Sequence, residues 1–335
     1  MWRRVGVCLL TLAALDQAVA PILEISERRH YESGEQLRFR SLDLFPLGPL
    51  TEYLQAHPVG PKPRVGLFGN SVMWGYLLEP TQTVAAVLQR LTPDAQVFDF
   101  SAGGFQGASS YLLAKTIPDS LDLFYVFVDG RTHTQPPHAL LPKVIPVSRG
   151  DAARFGLAAP AWYQAGTARL AGCWRLGRYS YRLQAAWFGT STQQAIRLKI
   201  EQVFNRVTAP PPAFPPVSAA FTLDGEWYAP VGTARPSPQM LNELAQRYPV
   251  VWQFAQLLAQ HHKRAVFFQF AGKEAVREQD LALLNAQLAP EIVIASLRLP
   301  AGWFQSDKRH LTPDGAEGVA RLLAAHAGGE RWALR

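Results

Sequence analysis

Short apolar runs alternate with stretches of helical periodicity along much of the chain. Residues 64–68, 96–100 and 121–128 are apolar runs of strand length. Between the first two runs, apolar residues recur at the spacing of one helix face over residues 81–91, and residues 109–116 form a second helical stretch. Strands that alternate with helices in this way predict a parallel sheet that is covered by helices on both faces.

The same alternation returns in the last third of the chain, after a long irregular stretch. The later elements are predicted as helices at 238–262 and 273–288, strands at 265–270 and 292–295, and a last helix at 313–325. The pattern predicts an α/β fold, a three-layer α/β/α domain with a doubly wound parallel sheet and a central insertion. Its first part covers residues 63–135, the insertion or cap covers 136–238, and the second part covers 239–328.

The central insertion is rich in proline, basic and aromatic residues. Residues 151–235 contain nine Lys or Arg against four Asp or Glu, within a chain whose net charge is +7. Such a stretch suits an anionic glycan, a phospholipid surface or a nucleic acid, and a solvated amphipathic helix face explains it equally well. No zinc-finger, helix-turn-helix or RNA-binding motif is present, so a nucleic-acid partner is not expected.

The N-terminal segment has the layout of a signal sequence. Two arginines precede an apolar run over residues 5–15, Asp16 interrupts it, and an Ala-x-Ala sequence ends at Ala20. We expect residues 1–23 to be an uncleaved signal sequence or membrane anchor, with a lead-in of little regular structure over 24–62 and the rest exported to the cell envelope. The alternative is an ordinary N-terminal helix that packs on the domain. The two cysteines, one of them inside this segment, are not expected to form a structural disulfide.

Three short motifs carry candidate chemistry. Gly69-Asn-Ser71 follows the first strand, a small-residue turn ending in Gly104 follows the second, and Asp307-Lys-Arg-His310 precedes the last helix. A serine after a strand can act as a nucleophile, with the histidine as its general base and the aspartate holding the imidazole tautomer. A backbone N–H of the Gly104 turn can stabilise an oxyanion. Taken singly, each motif also fits a structural role as a tight turn or a helix cap.

Other chemistries lack a motif. His261 and His262 lie beside Lys263 and Arg264 without a carboxylate or cysteine at metal-ligand spacing. His133 and His138 flank a proline-rich loop, and a metal role is not expected for them either. There is no His-Glu-x-x-His sequence, phosphate-binding loop or dinucleotide fingerprint. We therefore expect neither a metal nor a cofactor.

The order Ser…Gly…Asp-x-x-His resembles that of the SGNH, or GDSL-type, hydrolase superfamily, over residues 64–133 and about 240–326. The resemblance implies a flavodoxin-like sheet and a triad of Ser71, Asp307 and His310, with Ser71 and Gly104 donating N–H groups to the oxyanion. The form Gly-Asn-Ser-x-x-x-Gly with an N-terminal anchor is similar to envelope members that acetylate or deacetylate polysaccharides, including relatives of alginate O-acetylation proteins. It implies a polysaccharide or other ester as substrate and a membrane acyl-transfer protein as a partner.

The sequence departs from the superfamily pattern after the third strand. The third block of the superfamily usually carries an asparagine that adds a side-chain donor to the oxyanion hole, whereas Thr132 occupies that position here. Arg131 and His133 are its possible substitutes. Because loss of one oxyanion donor typically costs about 10²–10³-fold in rate, the departure predicts a site that is slow, differently built or inactive.

The expected function is a serine-dependent ester hydrolase or O-acyltransferase that acts on acetyl esters of an envelope or exported polysaccharide. One alternative is a catalytically impaired, membrane-anchored accessory or binding protein of a polysaccharide-modifying complex. A second alternative is a cytosolic, lipase-like esterase.

Overall fold

The structure is a computed structural model that describes residues 2–33, 47–57, 60–129, 137–138, 141–157, 225–230, 232, 236–272 and 276–329. The strands in this part of the chain are β1 (Arg64–Phe68), β2 (Gln96–Asp99), β3 (Leu123–Phe127), β4 (Glu226–Tyr228), β5 (Arg264–Phe270) and β6 (Ile292–Arg298). The helices are α1 (Trp2–Ser33), α2 (Leu47–Ala56), α3 (Ser71–Trp74), α4 (Val84–Leu91), α5 (Gly107–Thr116), α6 (Arg149–Arg154), α7 (Pro238–Arg247), α8 (Pro249–Gln260), α9 (Glu278–Asn285) and α10 (Pro313–Gly329).

The strands form one sheet in the order β2-β1-β3-β5-β6-β4. Every pairing is parallel except that of β4, which lies antiparallel to β6 at the sheet edge. From β1 the chain first moves to β2 on one side and then crosses to β3 on the other. This reversal leaves a crevice at the carboxyl ends of the central strands, which is where open α/β sheets bind their ligands.

Alternating residues of the strands supply two separate hydrophobic cores. In β1, Val65 and Leu67 face the core that includes α4 and α10, whereas Phe68 faces the opposite core with α5 and α8. The Phe68 ring stacks on Phe100 and meets the edge of Phe254 from α8. The prediction of an α/β fold with a mainly parallel sheet between helices is therefore confirmed.

Several predicted elements differ from the structure in their extent. The predicted helix over 238–262 is two helices, because Pro249 cannot donate the backbone hydrogen bond that would continue the first one. The helix predicted over 273–288 is the shorter α9. Strand β4 has only three residues and was not predicted.

The lead-in predicted to have little regular structure contains α2, so that part of the prediction is wrong. Leu47, Leu50 and Leu54 of this helix are buried in the core on the α5 side of the sheet. Gly48 and Pro49 resemble helix breakers in the sequence, but both lie in the first helical turn, where no backbone hydrogen bond is lost.

The N-terminal helix α1 runs beyond residue 23 and contains Pro21. Asp16 and Ala20, one turn apart, are buried, whereas Leu10 and Ile22 are exposed. No helix among the described residues has the length and apolar character needed to cross a membrane. Cys8 is a free thiol. The other cysteine, Cys173, lies outside the described residues, as does most of the predicted insertion.

Candidate active site

Ser71 lies at the start of α3, immediately after the carboxyl end of β1. Asn70 caps this short helix, since its side-chain oxygen accepts from the Val72 N–H at 2.9 Å. The turn is tight, because a Cβ at Gly69 would lie within 2.8 Å of the Met73 side chain. Only glycine fits there, and the turn directs Ser71 out of the strand end into the crevice.

The cap is braced by the neighbouring strand. Asn70 Nδ2 donates to Asp129 Oδ2 at 2.6 Å, and Asp129 follows the carboxyl end of β3. One amide side chain therefore caps α3 and at the same time joins the ends of two parallel strands. This brace was not predicted, because nothing in the local sequence pairs residues 59 positions apart.

The structure brings together the three residues predicted as a triad. Ser71 Oγ lies 3.0 Å from His310 Nε2, and His310 Nδ1 lies 2.5 Å from Asp307 Oδ2. The His310 side chain is 12% exposed and that of Asp307 is 44% exposed, so the acid lies at the solvent side of the chain of three groups. Because an ionised carboxylate can only accept, Nδ1 donates to Asp307, which leaves Nε2 free to accept the Ser71 hydroxyl proton.

The Asp307 carboxylate is held in its ionised form by its hydrogen bonds. Burial raises its pKa, but donation by the His310 imidazole and by the His310 and Arg309 N–H groups outweighs burial and lowers the pKa to about 2. The intervening Lys308 has a φ of 54°, a left-handed conformation that closes the turn between Asp307 and His310. At neutral pH the carboxylate is therefore charged and orients the imidazole.

Hydrogen bonds from Gln305 fix the loop that carries His310. The Gln305 N–H donates to the His310 carbonyl at 2.8 Å, and Gln305 Nε2 donates to the carbonyls of Leu311 at 2.8 Å and Tyr76 at 3.1 Å. The Tyr76 ring lies 4.6 Å from the His310 ring, centroid to centroid. Gln305 and Tyr76 are thus site residues that sequence reasoning missed, since they lie 229 positions apart.

Gly104 lies at the end of the turn after β2, next to the Ser71 turn. The Ala102 N–H donates to the Gly69 carbonyl at 3.2 Å, and Asp99 accepts from both the N–H and the hydroxyl of Ser101. Gly104 has a φ of 76°, which favours glycine. Within the described part of the chain, the N–H groups of Ser71 and Gly104 donate no hydrogen bond, so both remain available to a ligand.

His138 packs against Gly104 from the segment that follows β3. A Cβ at Gly104 would lie 3.1 Å from His138 Cδ2, and the His138 N–H donates to Ser109 Oγ at 2.9 Å. Burial lowers the pKa of His138, so that its ring is neutral at neutral pH. His138 therefore forms a wall beside the candidate oxyanion turn.

The third predicted oxyanion residue, Thr132, lies outside the described residues, as do Arg131 and His133. Its role stays a prediction. No group of three or more His, Cys, Asp or Glu side chains in the described ranges is placed to hold a metal ion.

The arrangement supports nucleophilic chemistry at a serine. A hydroxyl held by an imidazole, which is in turn oriented by an ionised carboxylate, can attack an acyl carbon and pass its proton to the base. A scan of the sequence against protein-family models finds no match, and no curated protein that was searched matches it either.

Proposed function

We propose that the protein is a serine-dependent carboxyl-ester hydrolase or O-acyltransferase of the SGNH kind. The observation that carries the proposal is the continuous chain from Ser71 Oγ through the His310 ring to Asp307, with contacts of 3.0 and 2.5 Å. These distances are those of a nucleophile, its base and the orienting acid in hydrogen-bond contact. The order β2-β1-β3-β5-β6, which matches the flavodoxin-like order, supports the SGNH assignment.

The first half of the reaction forms an acyl-enzyme. His310 Nε2 accepts the Ser71 hydroxyl proton while Ser71 Oγ attacks the ester carbonyl carbon, which gives a tetrahedral intermediate with a negatively charged oxygen. The free N–H groups of Ser71 and Gly104 stabilise that oxygen. When the intermediate collapses, the ester C–O bond breaks and His310 gives its proton to the departing alcohol oxygen.

The second half releases the acyl group. His310 removes a proton from water or from an acceptor hydroxyl, and the new oxygen attacks the acyl carbon on Ser71. Collapse returns the proton from His310 to Ser71 Oγ. Water as the acceptor gives an esterase, and a sugar hydroxyl gives an acyltransferase.

The substrate class and the location are further parts of the proposal. The Gly-Asn-Ser form of the nucleophile block and the signal-like N-terminus support an acetyl ester of an envelope or exported polysaccharide, and a membrane acyl-transfer protein as partner. Arg169, Arg175 and their aromatic neighbours lie in the insertion, whose basic composition suits a glycan acceptor.

Labelling with a fluorophosphonate probe tests the proposal. The probe phosphonylates a serine only where a base activates it, so the wild type should be labelled and should hydrolyse p-nitrophenyl acetate. The variants Ser71→Ala and His310→Ala should lose both signals. Ser306→Ala is the matched control, because Ser306 is an exposed serine next to Asp307 and should label like the wild type.

The opposite result would favour a different class of function. A folded wild type that is neither labelled nor able to hydrolyse the ester would refute the enzyme proposal. It would favour a non-catalytic accessory protein that keeps the fold for binding.

A further inference from the structure

A short turn beside the triad presents two apolar side chains to solvent. We call residues 75–78 the Tyr76 turn. Tyr76 is 37% exposed and Leu77 is 58% exposed, and the next residue, Leu78, packs on the core shared by α4 and α10. Most other exposed large apolar side chains of the described residues lie on α1. Apolar exposure next to a reactive group is typical of a ligand-binding surface.

Hydrogen bonds fix the Tyr76 turn both to Ser71 and to the loop that carries His310. The Tyr76 N–H donates to the Ser71 carbonyl at 3.0 Å, and the Tyr76 carbonyl accepts from Gln305 Nε2 at 3.1 Å. The same Gln305 holds the His310 loop through its backbone N–H. The turn therefore keeps a fixed position relative to the nucleophile and the base.

The conformation of the Tyr76 turn is costly for its sequence. Gly75 has a φ of 79°, which suits glycine, but Leu77 has a φ of 65°, which is rare for a branched apolar residue. Asparagine or glycine would adopt this backbone with less strain. Strained positions of this kind cluster at active sites and ligand clamps.

The chemistry of the proposed function places this turn on the alcohol side of the scissile bond. His310 Nε2 must deliver its proton to the departing alcohol oxygen, so the alcohol portion of the ester passes close to the imidazole. The Tyr76 ring covers that same imidazole at 4.6 Å. The carbonyl oxygen, by contrast, points toward the N–H groups of Ser71, which follows β1, and of Gly104, which follows β2.

We propose that Tyr76 and Leu77 form the subsite for the alcohol portion of the ester, and that its ligand is a pyranose ring bearing the esterified hydroxyl. The inference rests on the proposed function. The exposed ring and the adjacent aliphatic side chain give an apolar surface for the C–H face of a sugar ring, while the sugar oxygen reaches Nε2. By microscopic reversibility, the same surface holds the acceptor when the acyl group is transferred to a sugar.

Acetyl esters that differ only in their alcohol test the subsite. The assay compares kcat/KM for penta-O-acetyl-glucose with kcat/KM for ethyl acetate, and reports their ratio. The wild type should prefer the sugar ester. Tyr76→Ala and Leu77→Asn should each lower the ratio about tenfold, since about 1.4 kcal/mol of contact corresponds to a factor of ten. Leu77→Asn keeps a residue that tolerates the left-handed backbone.

Two further variants separate binding from structure. Tyr76→Phe keeps the aromatic face and should retain the wild-type ratio. Met240→Ala removes a side chain of similar exposure, 41%, from α7 and should also retain it. If Tyr76→Ala lowers both rates equally, the ring only positions His310, and the subsite proposal is wrong.

The subsite and the proposed function fail in distinguishable ways. A wild type that reacts with the fluorophosphonate probe but shows no preference for the sugar ester overturns the subsite alone. An unchanged ratio in both Tyr76→Ala and Leu77→Asn also overturns the subsite alone. A wild type that neither reacts with the probe nor cleaves either ester overturns the proposed function, and the subsite with it.

Discussion

Replacing Gly315 by alanine should move His310, the proposed base, without unfolding the protein. Gly315 lies in the first turn of α10, directly against the backbone of Trp303. A Cβ at Gly315 would lie 2.1 Å from the Trp303 carbonyl oxygen. That oxygen accepts from the Thr312 N–H at 2.9 Å, so it fixes both ends of the loop that contains His310.

The size of the effect follows from this contact. Carbon and oxygen atoms in non-bonded contact stay about 3.3 Å apart, so the two backbones must separate by about 1 Å. Overpacking of this kind costs about 1–3 kcal/mol, and a weakened Thr312 hydrogen bond adds about 1 kcal/mol. Alanine regains about 1 kcal/mol of helix propensity. We expect a net loss of about 2 kcal/mol, which leaves a domain of ordinary stability folded.

The effect on catalysis should exceed the effect on stability. A displacement of about 1 Å in a catalytic group can lower the rate about 100-fold. The measurements are urea denaturation for the free energy of unfolding and p-nitrophenyl acetate hydrolysis for kcat/KM. Gly302→Ala is the matched control, because Gly302 directly precedes Trp303 and a Cβ there meets no atom within 4 Å. If Gly315→Ala is as stable and as active as Gly302→Ala, the contact with Trp303 does not position His310.

Three other predictions concern individual interactions. Asn70→Asp places a second carboxylate against Asp129 and should lower stability and probe labelling. The double variant Asn70→Asp, Asp129→Asn restores the hydrogen bond and should recover both. If the double variant recovers neither, the hydrogen bond between residues 70 and 129 does not brace the site. The pKa of Asp307 is lowered to about 2, so its ionised form contributes stability that is complete above about pH 4 and is lost as the pH falls through 2. The stability difference between wild type and Asp307→Asn should therefore shrink below pH 4 in denaturation experiments, and a difference independent of pH would contradict this. Tyr125→Phe removes the hydrogen bond to the Leu323 carbonyl at 2.8 Å and should cost about 1–2 kcal/mol without changing kcat/KM for the ester.

The parts of the site that were predictable are those that local sequence encodes. The residues of β1 match the predicted strand, because a short apolar run stops at Gly69 where the chain must turn. The carboxyl ends of parallel strands meet at one edge of the sheet, so residues that follow β1 and β2 were expected to be neighbours. Asp307 and His310 were predictable as a pair because they lie three positions apart, just before α10.

The parts that were missed depend on contacts across the fold. The amide of Asn70 reaches Asp129, and Gln305 reaches the carbonyl of Tyr76, over separations of 59 and 229 residues. No periodicity or local motif records such pairs, because they form only after the sheet has brought their loops together. The sequence also did not predict that Leu77 is exposed, since an apolar residue beside a helical stretch is usually buried.

The sheet topology explains how Ser71 and His310 meet although they lie 239 positions apart in the sequence. The helix that follows each of them, α4 and α10, packs against the other on the same face of the sheet. Although residues 136–238 lie between β3 and β5 in the sequence, these two strands are parallel neighbours, and Leu123–Phe127 of β3 pairs with β5. The triad is therefore closed by pairs of elements that lie outside residues 136–238. We therefore expect substitutions within residues 136–238 to affect the preference for an ester or acceptor more strongly than the activation of the Ser71 hydroxyl by His310.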